Sequence, residues 1–206
     1  MSPLSIVPLG DAALRFPLPS EVDAAILLER LRALPGVRDA VVTETHAAIY
    51  FDPAAAPGLE PAALLALLEE ARRDTGRRPP REVTIAVRYD GEDLASVAAA
   101  VGLSPEEVVA LHAGRSYEVR LIGFLPGFAY LREVDSRILL PRRPAPRPRV
   151  PAGAVAIAGP YTGIYPVACA GGWHLIGSAV DFLPFTADAG ARLRLGDRVR
   201  FVAVAP

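Results

Sequence analysis

Apolar positions along this chain alternate in some stretches and recur at helical spacing in others, and the two patterns take turns. Leu4 to Leu9 and Ala12 to Phe16 read as a strand or hairpin interrupted by Gly10-Asp11. Ser20 then offers an N-cap with Asp23 in the first helical turn, and Val22, Ile26, Leu27, Leu31 and Leu34 keep helical spacing until Pro35-Gly36 ends the run. Val37 to Thr43 and Ala47 to Phe51 predict two short strands joined by a tight turn near Thr45-His46. A further helix opens at Pro61 and closes near Gly76, with Leu64, Leu65, Leu67 and Leu68 available to cover a sheet. The order β-α-β-β-α predicts a split ferredoxin-like layer.

Gly76 to Arg81 is charged and rich in proline, which places a domain boundary there: an α/β domain over 1–80 and a second domain over 81–206. Glu82 to Tyr89 restarts as an alternating strand. Asp93 to Val101 and Ser104 to His112 predict two helices. Ser104-Pro105-Glu106-Glu107 supplies an N-cap, a proline at the first helical position and a capping-box glutamate, and Gly114 stops the run. Tyr117 to Ile122, Ala154 to Ala158, Gly163 to Pro166, Trp173 to Ser178 and Arg198 to Val204 read as short strands punctuated by Gly and Pro. That pattern is the mark of a barrel or sandwich, so the whole is an α+β chain.

Composition narrows the chemistry. Among 206 residues there is no Lys, Asn or Gln, so a lysine Schiff base, a phosphate-loop lysine and a side-chain amide oxyanion donor are all excluded within this chain. A net charge of -1 offers no field to attract nucleic acid or anionic membrane. No apolar run has the length to span a bilayer and the first residues lack the basic region of a signal peptide, so the expected location is cytoplasmic. The single cysteine, Cys169, fits a reducing compartment.

Two stretches, Gly123 to Leu131 and Val150 to Pro166, combine glycine, proline and aromatics. A ligand groove and a structural corner both fit that composition. Between them runs Pro141 to Pro151, an extended polyproline-like segment presenting Arg142, Arg143, Arg147 and Arg149; it is suited to holding a carboxylate or phosphate, or else is a solvated basic loop. His112 closes a helix and His174 follows Trp173; either could act as acid, base or hydrogen-bond donor, or serve structure. Glu92 and Asp93 could orient a base but more simply cap the following helix. Three scattered histidines predict no metal site.

At these residues the chain resembles the family of the B-type component of 5-oxoprolinase, also labelled allophanate hydrolase subunit 1 or KipI-type kinase inhibitor. The matching pieces run in order: Leu9 to Leu14, Gly123 to Leu131, Pro141-Arg142-Arg143, Pro146-Arg147, Val150 to Gly153, Gly163 to Pro166, and Gly171-Gly172-Trp173 to Gly177. The chain departs from the family pattern at Tyr161, Ala170, His174 and Ser178-Ala179. The resemblance implies a C-terminal cyclophilin-like β-barrel behind the ferredoxin-like domain. It also implies a component of an ATP-dependent amidohydrolase that opens 5-oxoproline to glutamate. Its partner would be the C-type component of 5-oxoprolinase, also labelled allophanate hydrolase subunit 2, with a metal-binding third component. ATP is then a co-substrate of the complex. Related modules occur in urea carboxylase, and one branch of the family inhibits a sensor histidine kinase instead.

On that reading Arg142 and Arg147 hold an anionic group of the substrate, and His112 and His174 supply hydrogen bonds or proton transfer. Gly123, Phe124, Pro126 and Gly127 shape the pocket from one side. Tyr161, Thr162, Tyr165, Gly172 and Trp173 do so from the other. It follows that Arg147→Ala should weaken function without lowering stability.

Overall fold

The computed structural model describes residues 5–55, 61–74 and 79–205. The chain divides between Pro79 and Pro80 into two units. Leu4 and, of the expected linker, Gly76, Arg77 and Arg78 lie outside the described residues.

In the first unit, β1 (Val7–Pro8), β2 (Ala13–Pro17), β3 (Val37–Val42) and β4 (His46–Phe51) form an antiparallel sheet in the order β1-β2-β4-β3, with helices α1 (Ala24–Arg32) and α2 (Pro61–Arg73). Phe16, Ile49, Leu27, Leu31 and Leu64 are wholly shielded from solvent. The cap of α1 differs from expectation. Asp23, not Ser20, accepts from the main-chain N–H groups of Ala25 (2.9 Å) and Ile26 (3.2 Å). A turn closed by Val22 N–H on the Pro19 carbonyl (3.1 Å) uses the residues before it, so the helix begins three residues later. The hairpin between β3 and β4 is held by Thr43 Oγ1, which accepts from the N–H of His46 at 3.0 Å.

The second unit is a closed barrel of seven strands. These are β5 (Glu82–Arg88), β6 (Ser116–Ile122), β7 (Ala129–Arg132), β9 (Ala154–Ala158), β10 (Tyr161–Ile164), β12 (His174–Ala179) and β15 (Arg198–Ala203), arranged β10-β7-β6-β15-β5-β12-β9 and closed by the β9–β10 hairpin. All neighbours are antiparallel except β5 and β15. Helices α3 (Leu94–Val101) and α4 (Pro105–Ala113) follow β5. The expected capping box of α4 is present: Ser104 Oγ accepts from Glu107 N–H (3.2 Å), and Ser104 N–H donates to the Glu107 carboxylate (2.7 Å).

Two ribbons lie outside the barrel: β8 (Arg147–Val150) pairs with β11 (Cys169–Gly171), and β13 (Phe185–Thr186) with β14 (Gly190–Ala191). The polyproline-like segment is thus only partly free of a ladder. Its prolines at 146 and 148 hid the strand, because β8 has a single β partner and so can carry proline where a central strand cannot.

Candidate functional site

Strand alternation sorts the barrel wall into two faces. On β9, Val155 and Ile157 enter the interior cluster with Ile85, Val199 and Phe201, while Ala154, Ala156 and Ala158 join an outer cluster with Phe128, Tyr165 and Trp173. On β7, Ala129 and Leu131 point inward and Tyr130 packs outward. The outward alanines are small, which leaves space against the wall for a layer of large rings.

That layer is an aromatic lattice. The Phe128 ring meets Tyr130, Tyr165 and Trp173 edge to face at centroid distances of 5.0, 5.3 and 5.4 Å, and Tyr130 meets Tyr161 and Trp173 in the same way at 5.7 and 5.5 Å. Each edge-to-face pair adds about 0.5–1.5 kcal/mol beyond its buried area. The loop before β7 delivers Phe128 through a tight turn at Gly127, whose φ of 75° suits glycine and where a Cβ would lie 2.7 Å from that of Phe185. Phe124, in the same loop, holds a φ of 74° and is 61% exposed, with its ring edge on Phe128.

A cavity of about 160 Å³ opens on this lattice, lined by Phe124, Phe128, Tyr130, Arg142, Pro146, Tyr165 and residues 170–173. Arg142 is the one charged residue in the lining. No carboxylate pairs with it among the described residues. Tyr165 is nearly fully buried, and burial pushes its phenol up to about 12, with smaller opposing pulls from the main-chain hydrogen bond of Trp173 and the charge of Arg142. The hydroxyl therefore stays protonated. A Cβ at position 171 would clash with its oxygen and ring edge, so a side chain there would have to push the phenol aside.

Arg147 turns the other way. Its guanidinium, 14% exposed, binds the Asp93 carboxylate at 2.5 Å and also pairs with Glu92. Arg143 reaches the same Asp93 oxygen at 3.0 Å, and the second Asp93 oxygen accepts from Leu175 N–H at 2.7 Å. Asp93 sits at the N-cap position of α3 but makes no side-chain cap, contrary to the capping expectation, because its carboxylate is drawn to the two arginines. This buried hub ties the arginine-rich segment to β12. It commits Arg147 to structural ion pairs, so that of the two arginines expected to hold an anion only Arg142 lines the cavity.

The histidines also part from expectation. His112 is fully buried and stacked on Phe201, with centroids 4.8 Å apart. Thr162 Oγ1 donates to the Ala156 carbonyl (3.0 Å) and so accepts from His112 Nε2–H (2.8 Å), while Tyr89 donates its hydroxyl proton to Nδ1 (2.7 Å). Burial lowers the His112 pKa to about 3. The ring is a neutral, saturated member of the interior cluster, and with Thr162 it lies on the opposite face of the wall from the groove. His174 Nε2 donates to the Pro141 carbonyl at 2.9 Å and braces the segment that carries Arg142.

Of the residues singled out from sequence, the cavity brings together Phe124, Arg142, Tyr165, Gly172 and Trp173. Gly123, Pro126 and Gly127 belong to the supporting turn, and Tyr161 supports Tyr130 from behind. Phe128, Tyr130, Pro146, Ala170 and Gly171 line the cavity although sequence reasoning gave them no part in the site. Alternation through Phe128 and Tyr130, against the inward Ala129 and Leu131, was the available signal. His, Cys, Asp and Glu do not converge in a metal-binding group among the described residues.

Barrel, aromatic lattice and lone cation define a β-barrel protein with a small, aromatic-walled groove on the outside of its wall. Residues 4–188 match the carboxyltransferase domain, subdomain C and D, and the chain belongs to that family, among the proteins named as the B component of 5-oxoprolinase. It is 34% identical over 220 residues to the 5-oxoprolinase B component of Bacillus subtilis (strain 168), covering 95% of this chain and 91% of that protein. The solved structure of TTHA0988 superposes with a TM-score of 0.81 at 41% identity; the match takes in 94% of this chain but only 40% of TTHA0988. Urea carboxylase of Kluyveromyces lactis shares the fold, with a TM-score of 0.68 at 16% identity over 98% of this chain and 22% of that one.

Proposed function

We propose that this chain is the component of a 5-oxoprolinase-type complex that receives 5-oxoproline in the aromatic groove and holds its carboxylate on Arg142. The observation that carries the reading is a guanidinium, without a carboxylate partner among the described residues, that lines a cavity of about 160 Å³ with flat aromatic walls. Such walls suit a small ring, and Arg suits a carboxylate. The name shared by the relatives supports the same substrate.

Both candidate histidines are already committed to other contacts, so the groove offers binding and orientation more than proton transfer. The reacting groups and the ATP then come from a partner of the allophanate hydrolase subunit 2 type, and the chain acts as a non-autonomous half of the site. In this reading the barrel is cyclophilin-like and the first unit ferredoxin-like. Co-purification with such a partner, followed by assay of ATP-dependent glutamate release from 5-oxoproline, tests the proposal. Release by the complex and not by either chain alone is the expected result. A verified wild-type complex that releases no glutamate sinks the assignment.

A further inference from the structure

The groove holds a second polar group whose hydrogen-bonding capacity is not used up. Tyr165 is 2% exposed and lines the cavity; its oxygen takes a main-chain hydrogen bond from Trp173, and no protein acceptor among the described residues takes its hydroxyl proton. Buried hydroxyls nearly always find partners, so a donor left open toward a cavity points to a ligand acceptor. The space around it is enforced, since Gly171 has no side chain to cover the oxygen. Arg142, in contrast, is exposed at the rim.

The two donors therefore differ in what they can hold. A carboxylate placed among Phe128, Trp173 and the Tyr165 ring would lose its hydration against a neutral partner, which is costly. At the rim it keeps water and gains a cation. A neutral carbonyl oxygen loses less beside the buried Tyr165 and accepts the phenol proton.

We propose that Tyr165 is a specificity-determining residue, donating its O–H to the ring carbonyl of a small cyclic amide whose carboxylate sits on Arg142. The assignment rests on the oxoproline reading above and adds the orientation of the ligand: carbonyl inward, carboxylate outward. It implies selection for rings that carry both groups, since a ring lacking the carbonyl would leave the buried hydroxyl without a partner.

The test titrates the full chain with three probes, monitored by ligand-observed NMR: 5-oxoproline, cyclopentanecarboxylate (carboxylate without carbonyl) and 2-pyrrolidinone (carbonyl without carboxylate). Tyr165→Phe removes one oxygen and keeps the ring. It should weaken 5-oxoproline and 2-pyrrolidinone by about three- to tenfold and leave cyclopentanecarboxylate bound as tightly or more tightly. Arg142→Ala should show the reverse preference, weakening only the two carboxylates. If Tyr165→Phe leaves 5-oxoproline affinity intact, or weakens all three probes alike while its melting temperature is unchanged, the carbonyl assignment is overturned and the oxoproline reading survives. A wild-type chain that binds none of the three overturns both.

Discussion

The two faces of one barrel wall hold polar groups in opposite states. Behind the wall, Tyr89, His112 and Thr162 form a closed chain in which the buried donors and acceptors are matched. In front, Tyr165 and Arg142 face a cavity with hydrogen-bonding capacity to spare. Burial is high for His112 and Tyr165 alike, so burial does not separate the groove face from the interior one. Satisfaction does. The same distinction divides the arginines, because Arg147 is locked to Asp93 while Arg142, five residues earlier, pairs with no described carboxylate.

The comparison breaks most severely at Asp93. Asp93→Ala leaves Arg143 and Arg147 without their shared carboxylate, and a loss of about 3–5 kcal/mol is expected in chemical denaturation. Arg147→Ala should also lower stability, the opposite of what its sequence context suggested. A fall in activity with an unchanged unfolding midpoint would return Arg147 to the binding side.

His112 gives a smaller effect with a pH signature. The folded ring is held neutral, with a pKa near 3, whereas the unfolded side chain titrates near its ordinary 6.5. Acid therefore favours the unfolded chain. The contribution of His112 is fully present above about pH 6.5 and is lost as pH falls toward 3, by up to about 1.4 kcal/mol per pH unit. His112→Phe should cost about 1–3 kcal/mol at pH 7, since Tyr89 loses its acceptor, and should flatten the acid slope of the urea midpoint. An unchanged slope would mean that other groups govern it.

Gly171→Ala probes the front face. The new methyl overlaps the Tyr165 oxygen, so a cost of about 1–3 kcal/mol is expected by thermal melting, together with weaker 5-oxoproline binding. A variant as stable as wild type would show that the phenol swings freely and is not held. Arg142→Ala is the mildest: stability should stay within about 0.5 kcal/mol, because an exposed cation without a carboxylate partner contributes little to the fold. A large drop in its melting temperature would contradict the free state of Arg142.

These outcomes follow from features of unequal visibility in the sequence. The start of α4 was readable because Ser104, Pro105 and Glu107 are local in the chain, and the main barrel strands were readable through alternation. The aromatic density around Phe124 and Trp173 marked the groove. What stayed hidden depends on partners distant in sequence. His112 finds Tyr89 across 23 residues and Thr162 across 50, and Asp93 finds Arg147 across 54, so nothing near either residue announced its role. β7 and β8 were hidden for another reason. Glycine and proline at their margins signal turns, although the residues between them still pair.

The parallel pairing of β5 with β15 has a consequence for the order of events during synthesis. β5 is the first strand of the barrel to be translated and β15 the last, and the two lie side by side in the ring with β15 also paired to β6. Most of the second unit must leave the ribosome before its first strand acquires both neighbours. Such long-range closure slows folding and leaves β5 with an unpaired edge in the meantime. A nascent chain stalled before Arg198 should therefore be protease-sensitive across a unit that resists digestion once the strand through Ala203 has emerged.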